Sequence, residues 1–332
     1  MPSSPRVCLI EVGHWHAPFY YEKLESQGLT VAAVSDQKPA VAERVATELG
    51  CRSYSDHREM LERERPDFVF ALGAHRNMAE IARHLLDRRL PFGMEKPMGL
   101  SSAEVGPLAE QARRQKAFVA VPFTYRLPTW VQKVRELEGS GADLSFLSFR
   151  FQTGPISRYF TAGSEWILTK AGAGGGCALN LGIHFTDLFV YLTGKRPRRL
   201  WATMNSRTNN VEVEDYALIA METQDGTSCR IETGYPLPGG VKRQALECVL
   251  RGRQGYYEVR ESEMLWVDNA GQDHHIAGPT GQTPFYATFI RDSISALRAE
   301  RPPLADIDDN LAAMKIVEAA YQAAESKQVV EL

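Results

Sequence analysis

The sequence predicts an α/β protein made of two domains. It has 332 residues, and at roughly 150 residues per domain this length suggests two. Up to residue 123, apolar runs alternate with amphipathic stretches, which indicates βαβ units and a doubly wound parallel sheet. From residue 124 onward, short strand-like runs follow one another across turns, which indicates an α+β domain with a large, mostly antiparallel sheet. We therefore predict domains at 1–123 and 124–332.

Composition and charge narrow the class of partner. The sequence is 44% hydrophobic and 24% charged, which is typical of a folded globular protein rather than a disordered one. The formal net charge is −3 and like charges form no long run, so we expect neither nucleic acid nor an anionic membrane as a partner. No apolar run reaches the length of a membrane span.

Cysteine usage and the first residues bear on location. The five cysteines are scattered without a C-x-x-C pair, so we interpret them as reduced thiols that lie mostly in the core. Residues 1–6 form a short polar lead into an apolar run rather than a signal peptide. Both features predict a cytoplasmic protein.

The first 123 residues are predicted to form five strands that alternate with helices. The strands are predicted at 7–10, 31–36, 68–72, 91–95 and 118–121. The helices are predicted at 18–27, 40–49, 79–87 and 103–115. Glycine follows the first two helices, at Gly28 and Gly50, where it can adopt the left-handed conformation that ends a helix. Short apolar strands separated by helices are typical of a Rossmann-type sheet.

In such a sheet, a dinucleotide binds at the turn after the first strand. The expected G-x-G-x-x-G pattern is here Glu11-Val12-Gly13-His14-Trp15-His16. Only Gly13 remains, the glycine that allows the backbone to approach a pyrophosphate. The position of this turn between a strand and a helix still favours a cofactor site at Gly13, His14, Trp15 and His16.

Asp36 ends the second strand, 20 residues after His16, where an acid would bind the ribose hydroxyls of NAD. An aspartate there repels a 2′-phosphate, so NAD is favoured as cofactor and NADP is the second possibility. Lys38 or Lys23 could soften this preference. The alternative is that Asp36 only initiates a turn before Gln37-Lys38-Pro39.

Glu95-Lys96-Pro97 closes the fourth predicted strand. Lysine is rarely buried without a partner, so Lys96 either lies in a solvated loop or is held in a cleft for a chemical reason. The tripeptide alone favours the loop. Its position favours the cleft, because ligands bind at the carboxyl ends of parallel strands.

In the second half, turns such as Gln224-Asp225-Gly226 separate the predicted strands. These strands are predicted at 144–151, 199–206, 216–223, 227–233, 245–250, 256–260 and 264–266. A further helix is predicted at 129–137. The helix at 176–192 and the helices near the C-terminus can cover one face of the sheet, and the C-terminal helix can pack back toward the first domain. The other face is left open, and such a face is a common oligomer surface. We therefore expect a homodimer or homotetramer through this sheet.

A glycine-rich block in the second half completes a recognisable pattern. It begins Gly174-Gly175-Gly176-Cys177 and continues to Asn180, Gly182 and His184. With the glycine turn, Asp36 and Glu95-Lys96-Pro97, this block resembles the Gfo/Idh/MocA family of NAD(P)-dependent oxidoreductases. The resemblance covers essentially the whole chain. It implies a dehydrogenase that acts on a CH–OH group of a sugar, inositol or related polyol, and a sheet face used for oligomerisation.

The chain departs from the family pattern in three places. The glycine turn keeps one glycine of three. The usual Thr-Pro-Asn-x-x-His loop after the third strand is here Gly73-Ala74-His75-Arg76-Asn77-Met78. Asn180 replaces the aspartate of the D-x-G-x-H pattern. By position, the resemblance also places four residues beside the cofactor: Gly73, His75, Glu95 and Lys96.

Oxidation of a secondary alcohol needs a hydride acceptor, a group that takes the hydroxyl proton, and a group that stabilises the developing alkoxide. Nicotinamide supplies the first. His184 suits the second because the ordinary pKa of histidine is roughly 6.5, and the Lys96 ammonium suits the third. Asn180 lies one helical turn from His184 and can hydrogen-bond a hydroxyl, although it cannot accept a proton. Asp187 either orients the His184 ring or is a surface charge.

A loop rich in aromatic residues supplies further substrate candidates. Arg158, Tyr159 and Trp166 could line a pocket, although ordinary loop packing is an equal alternative. Tyr125 and Arg126 stand where the chain leaves the first sheet. The predicted substrate-binding residues are Lys96, Tyr125, Arg126, Arg158, Trp166, Asn180 and His184.

No metal site is predicted. His274 and His275 are adjacent, so in a strand they would point to opposite faces. His14, His16 and His75 lack a ligand spacing.

Two other functions stay open. The single-glycine turn and Asn180 are compatible with a non-catalytic member that binds a nucleotide or another ligand. The other hypothesis is an NAD-dependent glycoside-cleaving relative, which would regenerate its cofactor.

Overall fold

The computed structural model describes residues 5–139, 143–239, 243–260 and 262–332, so most of the predicted polar lead lies outside it. The first half is built on a six-stranded parallel sheet with the order β3-β2-β1-β4-β5-β6. Its strands are β1 (Arg6–Ile10), β2 (Thr30–Ser35), β3 (Arg52–Tyr54), β4 (Phe68–Ala71), β5 (Phe92–Met94) and β6 (Val119–Ala120). The order reverses beside β1, so the ligand-binding crevice of this sheet is expected at the carboxyl end of β1.

Both faces of β1 are buried. Cys8 and Ile10 pack into the core on one side, while Val7 and Leu9 pack on the other. The helices that cover the two faces are α1 (Ala17–Leu24), α2 (Pro39–Leu49), α3 (His57–Glu64), α4 (His75–Asp87) and α5 (Ser102–Gln115). The predicted parallel sheet with helices on both faces is therefore confirmed.

β3 and α3 are additions to the sequence prediction. β3 is short and mostly exposed, so it carries no hydrophobic pattern. Glu64, buried at the end of α3, holds this edge of the sheet. Its carboxylate pairs with Arg6 at 3.1 Å and with Arg52 at 2.5 Å, and accepts a hydrogen bond from Tyr54 at 2.5 Å.

The second half is built on a nine-stranded sheet with the order β14-β13-β12-β11-β7-β10-β9-β8-β15. Its strands are β7 (Phe146–Gly154), β8 (Pro197–Asn205), β9 (Tyr216–Thr223), β10 (Ser228–Gly234), β11 (Arg243–Arg251), β12 (Gly255–Arg260), β13 (Glu263–Asp268), β14 (Asp273–Ala277) and β15 (Val330–Glu331). Neighbouring strands are antiparallel except for β7 and β10, which run parallel. The predicted mostly antiparallel sheet is thus confirmed.

Helices cover one face of this sheet and connect it to the first one. They are α6 (Thr129–Glu138), α7 (Ser157–Thr161), α8 (Lys170–Ala173), α9 (Ile183–Thr193), α10 (Tyr286–Arg298) and α11 (Ile307–Ser326). α10 packs against α1 and adds Tyr286 and Phe289 to the core beneath the first sheet. α11 packs against α5, where the Ser102 hydroxyl donates to Glu318 at 2.5 Å. The C-terminal helices therefore join the two halves.

The opposite face of the nine-stranded sheet carries exposed apolar side chains. Phe146 is 36% exposed, Trp201 39% and Val329 56%. They border a shallow depression of about 740 Å³ that also includes Val249.

Within the described ranges, no helix is long and apolar enough to cross a membrane. All five cysteines are free, and four of them are buried. The same residues hold no group of three or more histidine, cysteine or acidic side chains arranged to bind a metal ion.

Candidate active site

Two cavities adjoin at the carboxyl edge of the six-stranded sheet. The first is a cleft of about 660 Å³, lined by the turns that follow β1, β2 and β4 and by residues 161–166 of the second half. The second is a pocket of about 300 Å³, lined by Trp15, His16, Phe19 and Lys96 of the first half and by side chains of the second half. Trp15 and Ala162 line both cavities, so the cleft and the pocket are neighbours.

The turn after β1 is held against the end of β2. The N–H groups of Gly13 and Lys38 donate to the Asp36 carboxylate at 2.6 and 2.8 Å. A Cβ atom at residue 13 would lie 2.8 Å from Asp36 Oδ2, so this approach requires glycine. Glu11, where the pattern expects the first glycine, has φ +59°. A side chain in this left-handed region costs roughly 1 kcal/mol, which explains the usual preference for glycine there.

The cleft carries charges of both signs. Its lining includes Lys38, Arg44 and Arg76 as well as the carboxylates of Glu11 and Asp36. Burial, reinforced by the charge of Asp36, raises the pKa of Glu11 to about 7. Glu11 is therefore partly protonated at neutral pH, which reduces the negative charge in the cleft.

Aromatic rings form the wall between the cleft and the pocket. Trp15 stacks on His14 with ring centres 3.9 Å apart and contacts Trp166 at 5.4 Å and Tyr159 at 5.3 Å. His75 contacts Trp166 at 4.9 Å, and its Nδ1 donates to the Ala173 carbonyl at 2.9 Å. Burial lowers the pKa of His75 to about 3, so the ring is neutral and its buried Nε2 is an acceptor that no described residue satisfies.

Lys96 is buried at the edge of the pocket, and its Nζ donates to the main-chain oxygen of Asn180 at 2.8 Å and to Oδ1 at 3.3 Å. Asn180 in turn donates to the hydroxyls of Tyr159 at 3.1 Å and Tyr235 at 2.9 Å. Burial lowers the pKa of Lys96 from 10.5 to about 8, although the nearby Glu95 opposes this shift. An ammonium has three N–H groups, so one remains for a ligand in the pocket that Lys96 and Asn180 line.

Glu95 lies behind Lys96. Its Oε1 accepts hydrogen bonds from Tyr20 at 2.8 Å and Tyr286 at 3.1 Å, and lies 3.1 Å from His16 Nδ1. Burial alone would raise the pKa of Glu95, but the charges of His16 and Lys96 bring it well below its usual value. The ionised Glu95 lies outside the lining of both cavities.

His184 is at the start of α9, with its ring 5.4 Å from that of Tyr125 and 6.0 Å from that of Phe123. The side chain is buried, and neither ring nitrogen has a hydrogen-bond partner in the described structure. Burial and the charge of Lys96 hold the pKa of His184 well below 6.5. The ring is therefore neutral and has one nitrogen that can accept a proton.

The glycine-rich segment brings Asn180 to Lys96. The N–H groups of Gly176 and Ala178 donate to the Glu214 carboxylate at 2.8 and 2.9 Å, and a Cβ atom at residue 176 would lie 2.0 Å from the Glu214 carbonyl. Ala178–Gly182 then forms a π-helical turn before α9 begins. The sequence predicts one continuous helix over 176–192. The structure corrects this prediction, because the segment starts as a π turn and α9 begins at Ile183. Such π turns are frequent at functional sites.

Two family models match the chain. Residues 9–123 match the model for the oxidoreductase family with an NAD-binding Rossmann fold, and residues 138–258 match the Gfo/Idh/MocA C-terminal domain. The chain belongs to the Gfo/Idh/MocA family of oxidoreductases. This membership confirms the predicted family, the enzyme class and NAD as the cofactor.

Individual proteins of known name align over nearly the full chain. The rhizopine catabolism protein MocA of Rhizobium meliloti is 24% identical over 327 residues, which cover 96% of this chain and 94% of that protein. D-xylose 1-dehydrogenase (NADP(+)) 2 of Haloferax volcanii is 22% identical, with 91% of each chain covered. The crystal structure of GenD2 from gentamicin A biosynthesis, in complex with NAD, has the same fold, with a TM-score of 0.83, 22% identity and coverage of 100% of this chain and 97% of GenD2.

The cleft fits the NAD of the Gfo/Idh/MocA family. Gly13 leaves room for close backbone approach, and the Asp36 carboxylate uses two of about four acceptor positions on backbone N–H groups, so ribose hydroxyls can bind the others. Lys38, Arg44 and Arg76 supply positive charge for phosphates. Gly73 and Trp15 line the same cleft.

Some predicted substrate residues lie away from the pocket of this Gfo/Idh/MocA protein. Arg126 is buried, with Nε and Nη2 donating to Asp187 at 2.9 and 2.5 Å and Nη1 donating to the Leu304 carbonyl at 2.7 Å. Asp187 thus binds Arg126 rather than orienting His184. Tyr125 and His184 are buried side by side, and neither lines the pocket or the cleft, whereas Trp166 lines the cofactor cleft. Arg158, Lys96 and Asn180 do line the pocket.

Several lining residues were not predicted. Arg44 and Arg76 line the cleft from α2 and α4. The sequence could have indicated them, because each is a basic residue that follows a predicted cofactor-binding loop. The pocket also includes neutral polar residues that no sequence motif marks: Thr153, Gln244, Gln282 and Thr283. They come together only through the pairing of β7 with β11 and the approach of the segment before α10.

Proposed function

We propose that the protein transfers hydride between NAD and a secondary alcohol or ketone of a sugar, inositol or related polyol. The observation that carries this proposal is the buried Lys96 ammonium, which lines a pocket directly beside the NAD cleft. The D-xylose dehydrogenase of the same family supports a sugar-type substrate. The neutral polar lining formed by Asn180, Gln244 and Gln282 suits hydroxyl groups.

NAD, when bound, supplies the hydride acceptor. In the proposed reaction the third N–H of Lys96 donates to the reacting oxygen and stabilises negative charge there. His184, neutral and with an unsatisfied acceptor nitrogen, takes the hydroxyl proton. Asn180 holds Lys96 in place and binds a substrate hydroxyl.

Cofactor choice in this proposal follows from Asp36. Its carboxylate at the end of β2 binds ribose hydroxyls and repels a 2′-phosphate, so NAD is preferred over NADP. Glu95 acts indirectly, because its charge opposes the loss of the Lys96 proton. His14, His16 and His75 contribute to the wall on the nicotinamide side of the cleft.

The open face of the nine-stranded sheet suits a homodimer or homotetramer. Phe146 and Trp201 expose apolar surface there, which association would remove from water. Light scattering should give a mass that is a multiple of the monomer mass, and Trp201→Asp should reduce it. A monomeric wild type would exclude this assembly. The five free thiols are consistent with the cytoplasm as the proposed location.

Cofactor titration followed by a substrate screen tests the proposed function. Calorimetry with NADH and NADPH should show binding of both or of NADH alone, with NADH the tighter ligand. Sugars, inositols and sugar acids are then screened for NADH formation from NAD. Binding without turnover of any compound would favour a non-catalytic member. Turnover of glycosides without net NADH would favour the glycoside-cleaving alternative. Absence of cofactor binding would contradict both enzyme readings.

A further inference from the structure

We propose that the pocket selects a polyol that carries an anionic group, a carboxylate or a phosphate, and that Arg158 binds this group. The inference rests on the proposed function and adds the charge of the substrate to it. Lys96 would hold the reacting hydroxyl while Arg158 holds the anionic end of the same molecule.

The charged side chains in the pocket lining are cationic. Lys96 and Arg158 both line it, and none of the described lining residues is an aspartate or glutamate. The neighbouring cleft differs, because Glu11, Asp36 and Glu165 line it together with its cations. A pocket with uncompensated positive charge favours an anion over a neutral ligand of the same shape.

Arg158 is held in one orientation by neutral groups. Its Nη1 donates to the Pro155 carbonyl and its Nη2 to the Tyr159 hydroxyl, both at 2.9 Å. The guanidinium carbon lies 4.4 Å from the centre of the Tyr159 ring and 5.7 Å from that of Tyr235. These contacts order the side chain without using its charge, which reduces the entropy that a ligand must remove on binding.

Arg158 also has binding capacity left. A guanidinium carries five N–H groups, and the described residues accept hydrogen bonds from two of them. Its charge has no carboxylate partner in the described ranges, whereas the buried Arg126 is paired with Asp187 and Asp309. A planar set of N–H donors matches the two oxygens of a carboxylate or two oxygens of a phosphate.

On the pocket side none of the described residues presents a negative charge to Lys96, because its partner there is the neutral Asn180. It offers Lys96 a neutral oxygen at 3.3 Å, where an aspartate would supply a negative charge. Glu95, the acid behind Lys96, already accepts from Tyr20 and Tyr286. Because Asn180 donates to Tyr159 and Arg158 donates to the same hydroxyl, a continuous hydrogen-bonded chain fixes Lys96 relative to Arg158.

The test measures binding, so it does not depend on turnover. NADH-loaded protein is titrated by calorimetry with matched sets: glucose with glucuronate and glucose 6-phosphate, xylose with xylonate, and myo-inositol with inositol 1-phosphate. We expect at least one anionic member to bind about tenfold or more tightly than its neutral parent. Whether that member is a carboxylate or a phosphate identifies the source of the charge. No preference in any set, including no binding at all, overturns the inference.

Three variants test whether Arg158 causes the preference for anionic ligands. Arg158→Gln should bring the ratio of anionic to neutral affinity close to one, and Arg158→Lys should keep part of it. Asn180→Asp, which adds a negative charge beside Lys96, should also lower the ratio. Arg253→Gln, at an exposed ion pair with Asp143, is the matched control and should leave the ratio unchanged. An unaltered ratio in Arg158→Gln that is folded and binds NADH would contradict the assignment.

The two proposals fail in different ways. If anionic ligands bind tightly but no ligand in the panel yields NADH, hydride transfer is wrong and the charge preference stands. If a neutral polyol is oxidised while its anionic partners bind no better, hydride transfer stands and the role of Arg158 is wrong.

Discussion

The ammonium nitrogen of Lys96 lies 2.8 Å from the main-chain oxygen of Asn180 and 3.3 Å from its side-chain oxygen. Lys96 follows β5 of the parallel sheet, and Asn180 lies in the π turn that leads into α9. The contact therefore joins the two halves of the molecule at the pocket. Because both oxygens of Asn180 are uncharged, burial prevails and the lysine titrates nearer neutral pH.

The pKa of Lys96 predicts the pH dependence of catalysis. It falls from the ordinary 10.5 to about 8, so the ammonium predominates at neutral pH and is lost as pH rises through about 8. The donor to the reacting oxygen disappears with it, so kcat/KM for alcohol oxidation should decline tenfold per unit above this pKa. The profile is measured from about pH 6 to about pH 10. A profile that stays level to the alkaline end would contradict this role.

Asn180→Asp should shift the alkaline decline of kcat/KM to higher pH. A carboxylate beside Lys96 favours the ammonium, so the pKa of Lys96 should rise by about one unit or more and activity should persist to correspondingly higher pH. Asn205→Asp is the control, because Asn205 is exposed at the end of β8 and, among the described residues, its Oδ1 accepts one local hydrogen bond, from the Arg207 N–H. Equal shifts in both variants would point to net charge rather than to the contact with Lys96.

The sequence was most informative where apolar patterns were continuous. The buried strands and the amphipathic helices of the first half were located to within a few residues, because burial on both faces requires long apolar runs. α4 begins at His75, four residues before its predicted start at 79, since its N-cap Ala74 has no side-chain oxygen to mark the boundary. β14 alternates half-buried and exposed residues with none fully buried, so no strand signal was visible.

The site was predictable only where a motif marked it. Lys96, Asn180 and Gly13 stand in recognisable patterns, and the structure brings them to adjoining cavities. Gln244 reaches the pocket, and Tyr235 reaches Asn180, through the pairing of distant strands, which a single sequence does not reveal. The π turn was invisible for the same reason, because its backbone is set by tertiary contacts to Glu214 rather than by local propensity.

Gly176→Ala should destabilise the fold strongly. Its Cβ atom would lie 2.0 Å from the Glu214 carbonyl, so backbone must move and the two hydrogen bonds to the Glu214 carboxylate weaken. We expect a loss of about 2 kcal/mol or more in the free energy of unfolding, measured by urea denaturation. Gly182→Ala is the matched control in the same segment, because its Cβ would meet its nearest neighbour at an ordinary 3.6 Å. Equal losses would contradict this account of the glycine block.

Arg126→Met should also be destabilising, because it leaves the buried Asp187 carboxylate without its partner. Removal of one partner of a buried pair costs about 3 kcal/mol or more. Arg63→Met breaks an exposed pair with Glu59 at 2.8 Å and should cost less than about 1 kcal/mol. If Arg126→Met proved as stable as Arg63→Met but bound substrate poorly, Arg126 would belong to the pocket instead.

The most direct test of the central claim compares wild type with Lys96→Met in hydride transfer. Both are supplied with NAD and the best polyol from the screen, and NADH formation is followed by its absorbance. We expect Lys96→Met to lose about a hundredfold or more in kcat, because the donor to the reacting oxygen is gone, while NADH still binds by calorimetry. Undiminished NADH formation by Lys96→Met would contradict the account.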